Sequence, residues 1–214
     1  PTSWHAGWLY YSQRSVEVFN LFSSFYNQVG TRNLVRVLAG QSVNPWVNNQ
    51  IMDWQNAYQN ADAFAVAPYF GGGFGNLSIT PTAPTFSIPY LLSLCQINLV
   101  NNHRVYTRQN AINAQQRGLQ LLAYEGGQHL VGVGAAQNNQ TLTNLFVAAN
   151  RDPGMRQLYY NDLDNWFIEG GELFMLYRLT GDYGKYGSFG LFEWQMQPRS
   201  TAYKWLGVRD YLGY

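Results

Sequence analysis

The sequence predicts an α/β protein made of βα units around a parallel sheet, the C-terminal half (strands five to eight) of a (β/α)8 TIM-type barrel. Three observations lead there. Short apolar runs alternate four times with stretches of helical periodicity. The short runs are apolar almost without interruption, as strands covered on both faces by helices must be. Each is followed by a polar or glycine-rich segment, and in such folds ligands bind where the parallel strands end. A complete barrel takes about 250 residues. Here four βα units occupy nearly all of the 214, which is the arithmetic of half a barrel: one domain over residues 1–214, completed by an N-terminal half or by a second copy.

Taken in order, Ser15–Val29 carries apolar residues at helical spacing and stops at Gly30. Residues 34–39 (LVRVLA) read as the first strand, and 45–58 as a helix opened by Pro45. Residues 63–69 (AFAVAPY) form the second strand, closed by the glycine run 71–75. A loop with Pro81, Pro84 and Pro89 leads into a long helix over 90–117, broken near Asn101. Residues 119–125 (LQLLAYE) give the third strand, closed by Gly126 and Gly127. Helices follow over 141–150 and 154–179. The fourth strand is expected at 189–194 (FGLFEW) and a last helix at 201–212.

Composition narrows the function. Charged residues are 12% and the net charge is +1, so nothing in the charge points to nucleic acid or an anionic membrane as partner. No apolar run approaches a membrane span. Aromatic residues reach 16%, with seven Trp and sixteen Tyr, and the polar surface is left to amides and hydroxyls. That mixture suits a core rich in rings. It equally suits sugars, whose C–H faces stack on aromatic planes and whose hydroxyls pair with amides. The single Cys95 excludes an internal disulfide and reads as a small buried apolar residue. The chain opens on Pro1 with no signal-peptide pattern, as a processed product would, and an extracellular location is expected. Two Asn-X-Ser/Thr triplets, at Asn76 and Asn139, matter only in a eukaryotic secretory pathway. No HExxH zinc motif, Walker loop or GxSxG elbow occurs, and no cofactor or metal is expected.

The strand ends carry the candidate chemistry. Glu125 closes an apolar strand, where an unpaired carboxylate is costly, so it is either a catalytic nucleophile toward an anomeric carbon or an Arg-paired core residue. Glu193 reads as a second catalytic group, a ligand of sugar hydroxyls or half of an ion pair. Tyr69 is placed to hydrogen-bond a neighbouring carboxylate and hold it ionised. Trp194 is a stacking platform or a core ring. Gln41, Asn44, Gln128 and His129 are candidate partners of sugar hydroxyls, His129 equally a structural histidine.

The segments RSVEVFNLF, LVRVLAGQSVNPW, ADAFAVAPYFGG, LLAYEGGQHLVG, LFVAANRDPGM and GSFGLFEWQMQP resemble the C-terminal part of large microbial proteins labelled cellulose-binding or glycoside-hydrolase-like. These look like remote members of the clan of retaining glycosidases built on (β/α)8 barrels. The resemblance implies a polysaccharide substrate such as a β-glucan. It places Glu125 as the nucleophile ending strand seven, Tyr69 as the tyrosine after strand six that contacts it, and Trp194 as the floor of the central sugar subsite at strand eight. The clan's acid/base glutamate follows an asparagine at the end of strand four. No Asn-Glu pair occurs here, so that group has to come from the missing half.

Overall fold

A computed structural model describes residues 2–30 and 33–214, except the side chain of residue 27; Pro1, on which the processing expectation rests, lies outside them. The protein is α/β with a four-stranded, all-parallel sheet. In chain order the elements are α1 (Ser3–Val29), β1 (Val37–Ala39), α2 (Pro45–Asp53), β2 (Ala63–Val66), β3 (Tyr69–Phe70), α3 (Ile88–Asn98), α4 (Arg104–Gln115), β4 (Gln120–Ala123), β5 (Gly127–Gln128), α5 (Gln140–Asn150), α6 (Gly154–Ile168), β6 (Gly171–Phe174) and α7 (Tyr203–Tyr211). They belong to two compact units. The first comprises Pro1–Ala67, Tyr106–Tyr124 and Glu169–Phe174; the second comprises Pro68–Val105, Glu125–Ile168 and Met175–Tyr214.

The first unit holds the sheet, in the order β1-β2-β4-β6, with every pair parallel. The central strand β2 is buried along its whole length, which explains its uninterrupted AFAV sequence. Three of the four expected strands are in place. The fourth is not 189–194 but Gly171–Phe174, inside the span that apolar periodicity extends as helix to residue 179. Gly170, at φ 93°, adopts the left-handed conformation that ends a helix, and α6 stops at Ile168. Residues 189–194 contribute only one bridge, Phe192 to Thr180.

Other boundaries move for similar reasons. α1 starts twelve residues before the expected Ser15 because the Thr2 hydroxyl accepts from His5 N and caps it. α2 ends at Asp53 rather than 58, since Gln55 and Asn56 take positive φ. The break expected near Asn101 is a π-helical turn, Leu99–His103, between α3 and α4.

The second unit has a small parallel pair, β3 with β5, and a core of α3, α5 and α6 side chains around Phe70, Leu91, Cys95, Leu142, Phe146 and Tyr159. Cys95 is a buried member of that core, and burial pushes its thiol up to about 12. A closed polar network lies within this unit. The Gln128 amide donates to Ser188 O (2.9 Å) and accepts from Leu130 N (2.7 Å). Asn150 accepts from Lys204 Nζ at 3.0 Å, and the same ammonium donates to Ser188 O. All five residues are buried, and desolvation holds the Lys204 amine well below the usual lysine range.

The π turn aims His103 inward. Its Nε2 lies 2.8 Å from Pro68 O and 3.4 Å from Asp162 Oδ1 on α6. Burial pushes His103 down to about 4 and holds the Asp162 carboxyl well above the carboxylate range, because each charged form is desolvated. The signs oppose one another. Between pH 4 and 6.5 the unfolded chain binds the histidine proton that the fold refuses, so stability rises with pH. Over the same window the fold keeps an aspartic proton that the unfolded chain releases, so stability falls. Each slope is at most about 1.4 kcal/mol per pH unit. Asp162→Asn removes the second and should leave stability rising with pH from 4 to 6.5, where the parent's curve is flatter. Chemical denaturation at stepped pH checks this; identical profiles for both proteins would refute it.

Candidate functional site

At the C-terminal ends of β1 and β4 the first unit opens into a cavity of about 260 Å³. Trp8 and Tyr11 of α1, Gly40 and Gln41 after β1, Val47 and Ile51 of α2, and Tyr124 after β4 line it. Its construction follows from how β1 ends. A strand that stops leaves backbone groups without a ladder partner, and these need side chains. Gly40 N still donates to Ala65 O of β2 at 2.9 Å. One residue on, the fully buried Asn48 amide takes over, accepting from Gln41 N (2.9 Å) and donating to Gln41 O (2.7 Å). Asn48 also donates to Asn110 Oδ1 (2.8 Å), and Asn110 donates to Ser42 O (2.8 Å). Only glycine fits at residue 40, because a Cβ there would overlap the Asn48 amide and the Phe64 ring. This fixed loop carries the exposed Gln41 side chain at the cavity.

The aromatic wall is fixed too. The Tyr11 hydroxyl accepts from Ala39 N at 2.9 Å, and Ser12 Oγ donates to Ile51 O at 2.7 Å, tying α1 to β1 and α2. Trp8 meets Trp46 edge-on at 5.9 Å, and His5 packs against both rings. Trp46 is 56% exposed and continues the aromatic surface outward. Asn44 serves the scaffold, capping α2 by accepting from Val47 N at 3.3 Å.

The second unit receives the remaining candidates. Tyr69 stands edge-on to His129 at 5.4 Å, within a ring cluster completed by Tyr177 and Phe189. Burial lowers the His129 pKa, and the Glu125 carboxylate is close enough to oppose that shift. Tyr69 and His129 are therefore in ring contact, and Glu125 bears on His129 through its charge. Gln128 lies in the buried network described above. Gly127, at φ 127°, lets the backbone run against the Tyr159 hydroxyl, so this glycine serves packing. Glu193 is half of an ion pair: Arg151 Nε and Nη2 reach its carboxylate at 2.9 and 2.5 Å. Trp194 sits on a turn, 48% exposed, with Gln197 N donating to its carbonyl.

Trp8, Tyr11 and Tyr124 escape the sequence reading. The first two lie ahead of Ser15, where the helical periodicity was taken to begin, although the spacing Trp4, Trp8, Tyr11 is helical. Among the described residues no cluster of His, Cys, Asp or Glu could hold a metal, and no helix is long and apolar enough to cross a membrane. No known family, curated protein or solved structure matches the chain.

The link between Glu125 and His129 can be measured. Glu125→Gln removes the carboxylate that favours the imidazolium, so the His129 pKa should fall further below the ordinary histidine value. Titration of the ring resonances by NMR decides it; an unchanged or higher value would show that the two groups do not interact.

Proposed function

We propose that this chain binds a neutral polysaccharide, such as a β-glucan, at the C-terminal ends of its sheet, as the C-terminal half of a (β/α)8-type protein. The observation that carries this is the cavity walled by Trp8, Tyr11 and Tyr124 with Gln41 at its edge. Its volume of about 260 Å³ falls just below the about 300–1,000 Å³ of ligand pockets, room for a single sugar ring. Aromatic planes accept the C–H face of the ring, and an amide meets its hydroxyls in both hydrogen-bonding senses. None of the lining residues is acidic or basic, which matches an uncharged ligand. Four parallel strands paired in chain order support the half-barrel reading. In that reading β1 and β6 are the edges that an N-terminal half, or a second copy, continues.

A second reading is a retaining glycosidase with Glu125 as nucleophile. The Tyr69–His129 ring contact, with the Glu125 charge acting on His129, favours it. That mechanism needs an acid/base carboxyl about 5–5.5 Å from the nucleophile. Glu193 is engaged by Arg151, so the acid/base group is assigned to the missing half.

Calorimetric titration with soluble β-glucan oligosaccharides separates the readings. Gln41→Ala should weaken binding about tenfold, the scale of one lost hydrogen bond network, and Trp8→Ala should weaken it more. Glu125→Gln should leave binding by the isolated chain unchanged and abolish any turnover seen once an N-terminal half is supplied. Binding insensitive to both cavity substitutions would remove the cavity from the site.

A further inference from the structure

α1 has two apolar stripes, and only one of them is used. Leu9, Ser12, Val16, Phe19 and Tyr26 fall on the side turned to its own unit and are buried or half-buried. Val18, Leu21, Phe22, Phe25 and Val29 fall on another side and are 41%, 67%, 51%, 59% and 61% exposed. Leu21, Phe22 and Phe25, with Ser24 and Gln28, border a hollow of about 380 Å³ on that face. Solvated helix faces are ordinarily polar, and a contiguous apolar stripe marks an interaction surface.

The order of residues along the stripe identifies the occupant. Val18, Phe22, Phe25 and Val29 are spaced four, three, four, the seam of a helix that packs on another helix. The same order reads identically from either end: Val, Phe, Phe, Val about a centre between Ser23 and Ser24. Two antiparallel copies with a two-fold axis at that centre place Val18 on Val29 and Phe22 on Phe25 of the partner. An isologous interface requires such a self-complementary patch.

Charge agrees. Residues 18–29 contain no Asp, Glu, Lys or Arg, and the helix's only such pair, Arg14 and Glu17, is joined in an ion pair. Two copies therefore meet without like-charge repulsion. A helix lying on a lipid surface carries Lys and Arg along its polar face, which residues 18–29 lack. Buried on both copies, the five side chains remove on the order of 1,000 Å², the size at which an interface becomes specific.

We infer that the chain forms a homodimer through antiparallel pairing of α1 about Ser23–Ser24. This does not depend on the glycan reading. Sedimentation equilibrium of the purified chain should give twice the chain mass at high micromolar concentration. F22E and F25K, both at exposed positions, should each weaken the dimer at least about 30-fold while leaving the circular dichroism spectrum intact. The double variant F22E/F25K should recover much of the lost affinity, because antiparallel pairing sets each new carboxylate against the partner's new ammonium. Parallel pairing would set like charges together and give no recovery. A parent that stays monomeric, a dimer that F22E leaves untouched, or a double variant without recovery would each overturn the inference.

Discussion

Backbone groups at the end of a parallel strand have no ladder partner, and a protein with few charges has to satisfy them with amides. That constraint shapes both units. In the first, Asn48 closes the end of β1 by binding both backbone groups of Gln41, and Asn110 holds the next residue through Ser42 O. In the second, Gln128 and Asn150 join β5, α5 and α7 through Ser188 and Lys204. An amide offers a donor and an acceptor in one rigid plane, so it can replace two ladder bonds without the desolvation cost of a charge. The one cation drawn into such a network, Lys204, is pushed toward its neutral form by the same cost.

These locks are what give the cavity a fixed shape. Because Asn48 holds the loop after β1, Gln41 projects from a stationary backbone, and because Tyr11 caps Ala39, α1 keeps its rings against the strand ends. A wall whose side chains are held by their neighbours loses little conformational freedom when a ligand arrives. Weak, neutral ligands such as sugars gain most from that economy. α1 thus has two tasks on different faces: its N-terminal rings build the cavity wall, while the apolar stripe over 18–29 is left for a second helix.

Charge pairs lie at the margins of this design. Arg36 with Asp62, Arg117 with Asp53 and Arg156 with Asp210 are each partly exposed and tie elements together at the surface. Pairs of that kind contribute little individually. Arg151 with Glu193 differs in that the carboxylate is only 13% exposed. The guanidinium is what makes a largely buried carboxylate tolerable there.

By itself the sequence determined the parallel α/β class, three of the four strands, the helix starts at Pro45, near Thr141 and at Gly154, and a break near Asn101. Those features follow from local rules, since apolar runs, caps and glycines act within a few residues of where they are written. That Tyr69 and the segment after Glu125 come together was legible in part, because strand ends of a parallel sheet emerge together; that the ring meeting Tyr69 is that of His129 was not. Tertiary structure alone decided the rest. Whether GELF or FGLFEW becomes the fourth strand depends on which can reach the edge of β4, and the left-handed Gly170 that delivers GELF is indistinguishable in the sequence from any other glycine. Whether Gln128 faces a ligand or an internal network, and whether Glu193 is free or held by Arg151 forty-two residues away, depends on partners remote in the chain. Such partners are set by packing, which acts through space and leaves no spacing for a sequence to show.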